Sequence, residues 1–224
     1  MQVAQVVLLD SDFSHMKQII GEGRQVINNI TRSASLFLYK NLFSFLLAVF
    51  SIIHFMTYPL KPSQISLVSM FNIGIPAFLL AMEKNEKKQE GHFLSVVFRN
   101  SIPAALTSFF TIAGMVLFGD MFHIPENDVS VASCFLLSAA GFMILWKLCK
   151  PMNRYRTWIF ILCVAGFCMG AYFLSELFSI TTISIQCLAL VFVFAFAEES
   201  LMRNITLFVN WYVKRKKERA ETAS

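Results

Sequence analysis

The sequence predicts an all-α membrane protein with six transmembrane helices, a long cytoplasmic stalk continuing the first helix, and a short β-strand remnant at the N-terminus. Three observations predict it. Apolar runs long enough to cross a bilayer recur six times. Lys and Arg gather on alternate connections between those runs. No proline interrupts residues 14–55, so a polar, helix-forming stretch runs into the first apolar segment without a breaker.

The composition supports the membrane class. The 224 residues are 56% hydrophobic, 24 of them Phe, and the mean hydropathy is +0.61. A soluble domain needs a polar skin that such an average cannot supply. The first 35 residues mix acids, amides and bases and hold no apolar core of signal-peptide type. The five cysteines, Cys134, Cys149, Cys163, Cys168 and Cys187, lie in or beside apolar runs without CxxC or Cys/His spacing. They read as small buried hydrophobes, not as disulfides or zinc ligands. The net charge of +5 does not imply nucleic acid, because the bases sit between apolar runs and in the tail.

The elements follow in order. Val6-Val7-Leu8-Leu9-Asp10 is a short apolar strand. Ser14 caps a helix that runs to about Phe55, with Gly21 and Gly23 as its only weak points. At 1.5 Å per residue such a helix is about 60 Å long, twice the hydrocarbon thickness, so half of it stands outside the bilayer. The spans are 36–57, 65–82, 101–118, 131–146, 158–174 and 180–197. The fourth and fifth are short as drawn; Lys147 and Arg156 can extend them by snorkelling. Backbone groups in lipid must be paired internally, so all six are helices. Residues 58–64 form a tight Pro-containing turn that makes a hairpin of the first two spans. Residues 205–219 read as an interfacial helix leading into a basic tail, or as a frayed end.

Only Lys40 and Lys61 of the 19 bases fall outside the segment before span one, the loops after spans two and four, and the tail. The positive-inside rule therefore places both termini in the cytoplasm. Asp120, Glu126 and Asp128 fall in the opposite-side loop 119–130.

Polar groups inside a bilayer are functional candidates. Asn41 and Ser44 lie three residues apart on the first span, and Ser69 and Asn72 three apart on the second. Pro76 removes a backbone donor and frees a carbonyl near Asn72. Amide, hydroxyl and carbonyl oxygens at mid-bilayer suit a hard cation. The serines could equally serve helix packing, and the asparagines interhelical hydrogen bonds. Lys40 could mimic a cation, pair with an acid or snorkel. Glu176, Glu198 and Glu199 read as interfacial, and His54 and His92 as boundary residues without metal spacing.

Val6–Asp10 with Asp12-Phe13, then Gly21-Glu22-Gly23-Arg24, then Asn28-Asn29-Ile30, resembles the end of the phosphorylation domain of P-type cation-transporting ATPases, where it leads into the fifth membrane helix. Ser66 to Pro76 is similar to the sixth helix of a bacterial subgroup of these pumps. The likeness is specific over residues 6–41, moderate in the second span and architectural after Glu83. It implies four parts: residues 1–13 as a phosphorylation-domain remnant, 14–35 as the stalk, 36–197 as a six-helix transmembrane domain and 198–224 as a cytoplasmic basic tail.

The resemblance also shows what this sequence does not contain. It has no DKTGT motif with the phosphorylated aspartate, no TGES-type loop, no nucleotide-binding domain, no TGDGxND loop and no counterpart of the first four membrane helices. The chain is expected to be a C-terminal fragment, inactive as an ATPase alone, with no cofactor of its own; ATP and Mg2+ belong to the parent pump. Its expected partners are membrane lipid, the transported cation and the N-terminal part of the pump, and not nucleic acid. Asn41 matches an amide ligand of calcium pumps. Ser44 stands where those carry glutamate, Ser69 and Asn72 where they carry asparagine and threonine, and Ile73 where they carry aspartate. Without the two acids, the resemblance implies a single-ion site of Asn41, Ser44, Ser69 and Asn72, for calcium or magnesium, in a plasma-membrane pump. The alternative is a stand-alone six-helix membrane protein without ATPase activity.

Overall fold

The computed structural model describes residues 15–85, 91–182 and 184–221. The strand expected at Val6–Asp10 lies outside the described residues. Those described form helices joined by turns, with no strand among them.

Helix α1 (His15–Ile53) is a single run of 39 residues, about 58 Å at 1.5 Å per residue. It is unbroken because nothing in it removes a backbone donor; a glycine costs a helix only about 1 kcal/mol. Two residues past its end the chain turns at Phe55, whose φ of 53° is left-handed. The second hairpin arm starts at Lys61, whose N–H donates to the Gln64 side chain at 3.0 Å. It comprises α2 (Pro62–Ser69), a π-helical turn (Met70–Gly74) and α3 (Ile75–Ala81). In the wide turn the Ile75 N–H reaches back five residues to the Met70 carbonyl. Pro76 explains its position. The proline ring crowds the Asn72 carbonyl and offers it no N–H, and a wider turn relieves the clash.

The remaining helices are α4 (Phe93–Met121), α5 (Glu126–Leu148), α6 (Arg154–Phe173) and α7 (Ile185–Glu221). Asn153 caps α6 by accepting the Arg156 N–H at 2.7 Å. The last helix differs from expectation at both ends. It begins at Ile185 and continues as one helix to Glu221, where a span ending at 197 and a separate interfacial helix were expected. Residues 185–221 contain neither glycine nor proline, so nothing stops the helix once started.

Among the described residues, five helical stretches are long and apolar enough to cross a membrane: Met16–Ile53, Pro62–Ala81, Phe93–Met121, Glu126–Leu148 and Arg154–Phe173. The sixth apolar run supplies the first half of α7. Phe45, Phe78, Phe110, Phe192 and Phe196 project outward, the side that lipid covers.

Helix α4 is the centre of the bundle, packed on α1, α5 and α7. Many of its buried positions are small, among them Ser101, Ala104, Ala105, Thr107, Ser108 and Thr111. Small residues let backbones approach, which drives helix association in lipid. The Ser101 hydroxyl lies 2.8 Å from both the Ser35 carbonyl of α1 and the Val97 carbonyl of its own helix. Helix α6 approaches the second arm through Gly166 and Gly170. A Cβ at Gly166 would overlap the Phe71 ring, and one at Gly170 would stand 2.9 Å from Leu67.

Candidate functional site

The π turn brings three of the four expected site residues together. Ser44 of α1, Ser69 of α2 and Asn72 of the turn line a small cavity with Tyr39, Lys40 and Leu137. Its volume is about 10 Å³, close to the minimum that holds one water. Asn41 is not among them. It lies on the exposed side of α1. Residues three apart on a helix still differ by about 60°, and the edge of the bundle runs between Asn41 and Ser44.

Asn72 is fully buried. Its amide nitrogen donates to the Ser138 carbonyl of α5 at 3.0 Å. That bond fixes the orientation, since a flipped amide would set oxygen against oxygen. The amide oxygen is left buried with no partner, which costs about 1–3 kcal/mol. Opposite it is Gly141, where any Cβ would overlap the Asn72 side chain. The Ser69 hydroxyl donates to its own helix, at 2.6 Å from the Ile65 carbonyl. Its lone pairs remain as acceptors. The Tyr39 hydroxyl, which closes one wall, donates to the Leu137 carbonyl at 3.0 Å and lies 3.3 Å from the Ser108 Oγ.

No group of three or more His, Cys, Asp or Glu residues that could hold a metal occurs among the described residues. A cation held here would meet neutral oxygens, which favours a hard ion with few ligands from this chain.

Two acids take places that sequence reasoning did not assign to them. Glu198 reads as interfacial at the end of an apolar run. It is instead fully buried, with Oε1 accepting from Thr111 Oγ1 at 3.3 Å and Oε2 without a partner. Glu83 lies one residue past the expected end of the second span at 82. Its Oε2 accepts from Arg156 Nε at 2.7 Å and lies 3.6 Å from Arg32 Nη1 of α1, and its Oε1 accepts from Asn153 Nδ2 at 2.6 Å. Burial alone would raise the Glu83 carboxyl. The Arg156 and Asn153 hydrogen bonds and the two guanidinium charges outweigh that and hold it below its ordinary value. Arg156 does not snorkel as expected. It is buried and also donates to the Cys149 and Pro151 carbonyls. Nearby, Asn29 Nδ2 of α1 donates to the Ala81 carbonyl at 3.0 Å and Asn28 Nδ2 to the Asn85 carbonyl at 2.8 Å. The outer half of α1 is thus bound directly to the end of the arm that carries the π turn.

No protein-family model matches the chain. Among curated proteins it is similar to the probable cation-transporting ATPase exp7 of Streptococcus pneumoniae serotype 4, 34% identical over 197 residues, which are 84% of this chain and 25% of that protein. It is 36% identical over 169 residues to the calcium-transporting ATPase CtpE of Mycobacterium tuberculosis, covering 70% of this chain and 21% of that protein. CtpE of Mycolicibacterium smegmatis is 30% identical over 168 residues, again 69% of this chain and 21% of the relative. The chain therefore spans a quarter or less of the length of these relatives. With membrane-spanning helices along its length and similarity to cation-transporting ATPases over most of it, this chain belongs to the P-type cation-transporting ATPases.

Proposed function

We propose that this chain is the membrane-domain part of an ATP-driven cation pump and forms one wall of its ion path. The observation that carries the reading is the unpartnered Asn72 amide oxygen, set in a π turn beside Ser44 and Ser69. An orphan buried acceptor is costly, and a cation ligand is the use that offsets the cost. The remaining ligands, and the cover for Asn41 on the exposed side of α1, come from helices outside this chain. The ion is calcium or magnesium, in keeping with all-oxygen ligands and with the calcium transport named for the CtpE relatives.

In this mechanism, the nucleotide-driven part of the pump tilts the outer half of α1, which stands in the cytoplasm as a stalk. A continuous helix transmits the displacement into the membrane. Ser44 then moves against Ser69 and Asn72, and the space between them opens to admit an ion or closes to about a single water. Both chain ends lie in the cytoplasm, the first half of α7 is the sixth span, and the membrane is the plasma membrane. ATP and Mg2+ act on the soluble part.

The test is cation-stimulated ATPase activity of the complete pump in vesicles, screened over calcium, magnesium and monovalent ions. Asn72→Leu is expected to lower the stimulation at least tenfold while the protein still inserts. Stimulation that survives Asn72→Leu undiminished would remove the ion-path reading. ATPase activity in this chain alone would contradict the division of labour.

A further inference from the structure

The end of the bundle opposite the basic loops carries a larger cavity, of about 490 Å³. It lies between the turn that joins α1 to the second arm and the connection from α4 to α5, with Tyr58, Lys61, Asp120, Glu126, Asn127 and Ser130 in its lining. The turn is pinned to α5 at two points. Lys61 Nζ donates to Asn127 Oδ1 at 3.0 Å, and the Ser130 hydroxyl donates to Gln64 Oε1 at 2.9 Å. Gln64 is fully buried, so the second bond is shielded from competing water. Earlier in the turn the left-handed Phe55 reverses the chain, and the Met56 N–H reaches back to the Ser51 carbonyl at 3.0 Å. Residues 56–58 are thereby folded back along the end of α1.

That reversal sets Tyr58 between this cavity and the candidate site. Tyr58 lines the larger cavity and also a groove beside Ala48, Ser51 and Ile52 of α1. Its hydroxyl is buried and makes no hydrogen bond among the described residues, yet it stands close enough to the Ser44 side chain to interact with it. Ser44 lies nine residues before the end of α1, about 14 Å along the helix, and lines the Asn72 cavity. Tyr58 thus borders the outer space with its ring and a wall of the candidate site with its tip. We propose that Tyr58 is this chain's share of the outer gate of the ion path: its ring plugs the passage from Ser44 to the larger cavity, and a change of its χ1 rotamer opens it. The proposal rests on the ion-path reading of Ser44 and Asn72. A side chain on a turn can change rotamer without breaking a helical hydrogen bond, while the bonds to Asn127 and Ser130 hold the turn in place. The hydroxyl oxygen offers lone pairs to a hard cation as it passes. Among the charged residues of the outer lining, two carboxylates stand against one ammonium, which favours a cation there.

Cysteine accessibility in the complete pump tests it. Ser44→Cys is introduced into the pump in sealed vesicles that expose the face opposite the basic loops. A membrane-impermeant cationic methanethiosulfonate is added from that face, and the mass of the peptide carrying position 44 reports the labelling rate. The expected result is slow labelling with Tyr58 in place and in Tyr58→Phe, which keeps the ring, and labelling at least tenfold faster in Tyr58→Ala. Cys134, a fully buried cysteine of α5, is the internal control. It should stay unlabelled in each background, which separates an opened gate from a loosened bundle. Three outcomes overturn the proposal: equal rates at position 44 with Tyr58 and with Tyr58→Ala, fast labelling in Tyr58→Phe, or labelling of Cys134 that rises together with position 44. Failure of the ion path reads differently. Cation stimulation that survives Asn72→Leu removes that reading whatever the labelling shows, whereas unchanged labelling removes the gate even when Asn72→Leu abolishes stimulation.

Discussion

Glu83 and Arg156 meet at 2.7 Å, Oε2 to Nε, across 73 residues of sequence. This pair locks the end of the second arm to the start of α6. Arg32, 3.6 Å from the same oxygen, draws α1 into the lock. Both arginines are largely buried, so removing the shared carboxylate leaves two guanidinium groups without their counter-charge. Glu83→Gln is expected to destabilise the protein by about 3 kcal/mol, read as a fall in the unfolding midpoint in detergent micelles. The pH dependence has a definite sign. The folded-state value of Glu83 is depressed from 4.5. Its contribution is therefore fully present above that pH and is lost as pH falls through the depressed value. The wild type should lose stability on acidification below about pH 4.5, and Glu83→Gln should lack this step.

The sequence carried the long helix and the hairpin because both depend on local chemistry. An absence of breakers makes α1, and Pro76 marks where the second arm must deform. What it did not carry depends on which side of a helix meets the bundle. Asn41 and Ser44 are equally polar positions on one apolar run, and only the placement of α4 and α5 around α1 leaves the first exposed and the second lining the cavity. Glu198 sits beside an exposed glutamate at the end of an apolar run, which reads as a boundary; the helix running on to Glu221 and the nearness of Thr111 place it inside. Glu83 likewise takes its meaning from partners on distant segments.

Glu198 makes a specific prediction of its own. One oxygen accepts from Thr111, and no cation stands within ion-pair distance of it among the described residues. An amide oxygen accepts the same hydroxyl donor equally well. Glu198→Gln should therefore stay within about 1 kcal/mol of the wild type. Glu198→Arg, a longer side chain with a charge of the other sign at a fully buried position beside Thr111, should prevent stable folding. Thermal unfolding of the two variants, compared side by side, checks the pair.

Asn72 separates a structural from a ligand role. A purely structural amide would lose a satisfied hydrogen bond on replacement and destabilise the bundle. Asn72 has one good bond, to Ser138, and one orphan oxygen. Asn72→Leu removes both at similar volume, so its effect on stability is expected to be small, within about 1 kcal/mol. A variant as stable as the wild type but lacking cation stimulation fits the ligand role. Equal losses of both would assign Asn72 to packing.

Gly141 tests whether the position of the Asn72 amide, rather than its mere presence, matters. A Cβ at this glycine would overlap the Asn72 side chain, so Gly141→Ala must push the amide away from Ser138 or part α5 from the π turn. Overpacking of this kind costs about 1–3 kcal/mol. At Gly23, in the outer half of α1, an added Cβ would meet nothing within 4 Å, and Gly23→Ala should raise stability by up to about 1 kcal/mol through helix propensity alone. The two alanine substitutions should thus shift the unfolding midpoint in opposite directions. Only Gly141→Ala should also weaken cation stimulation of the complete pump, because it alone displaces the Asn72 oxygen that we propose as a cation ligand.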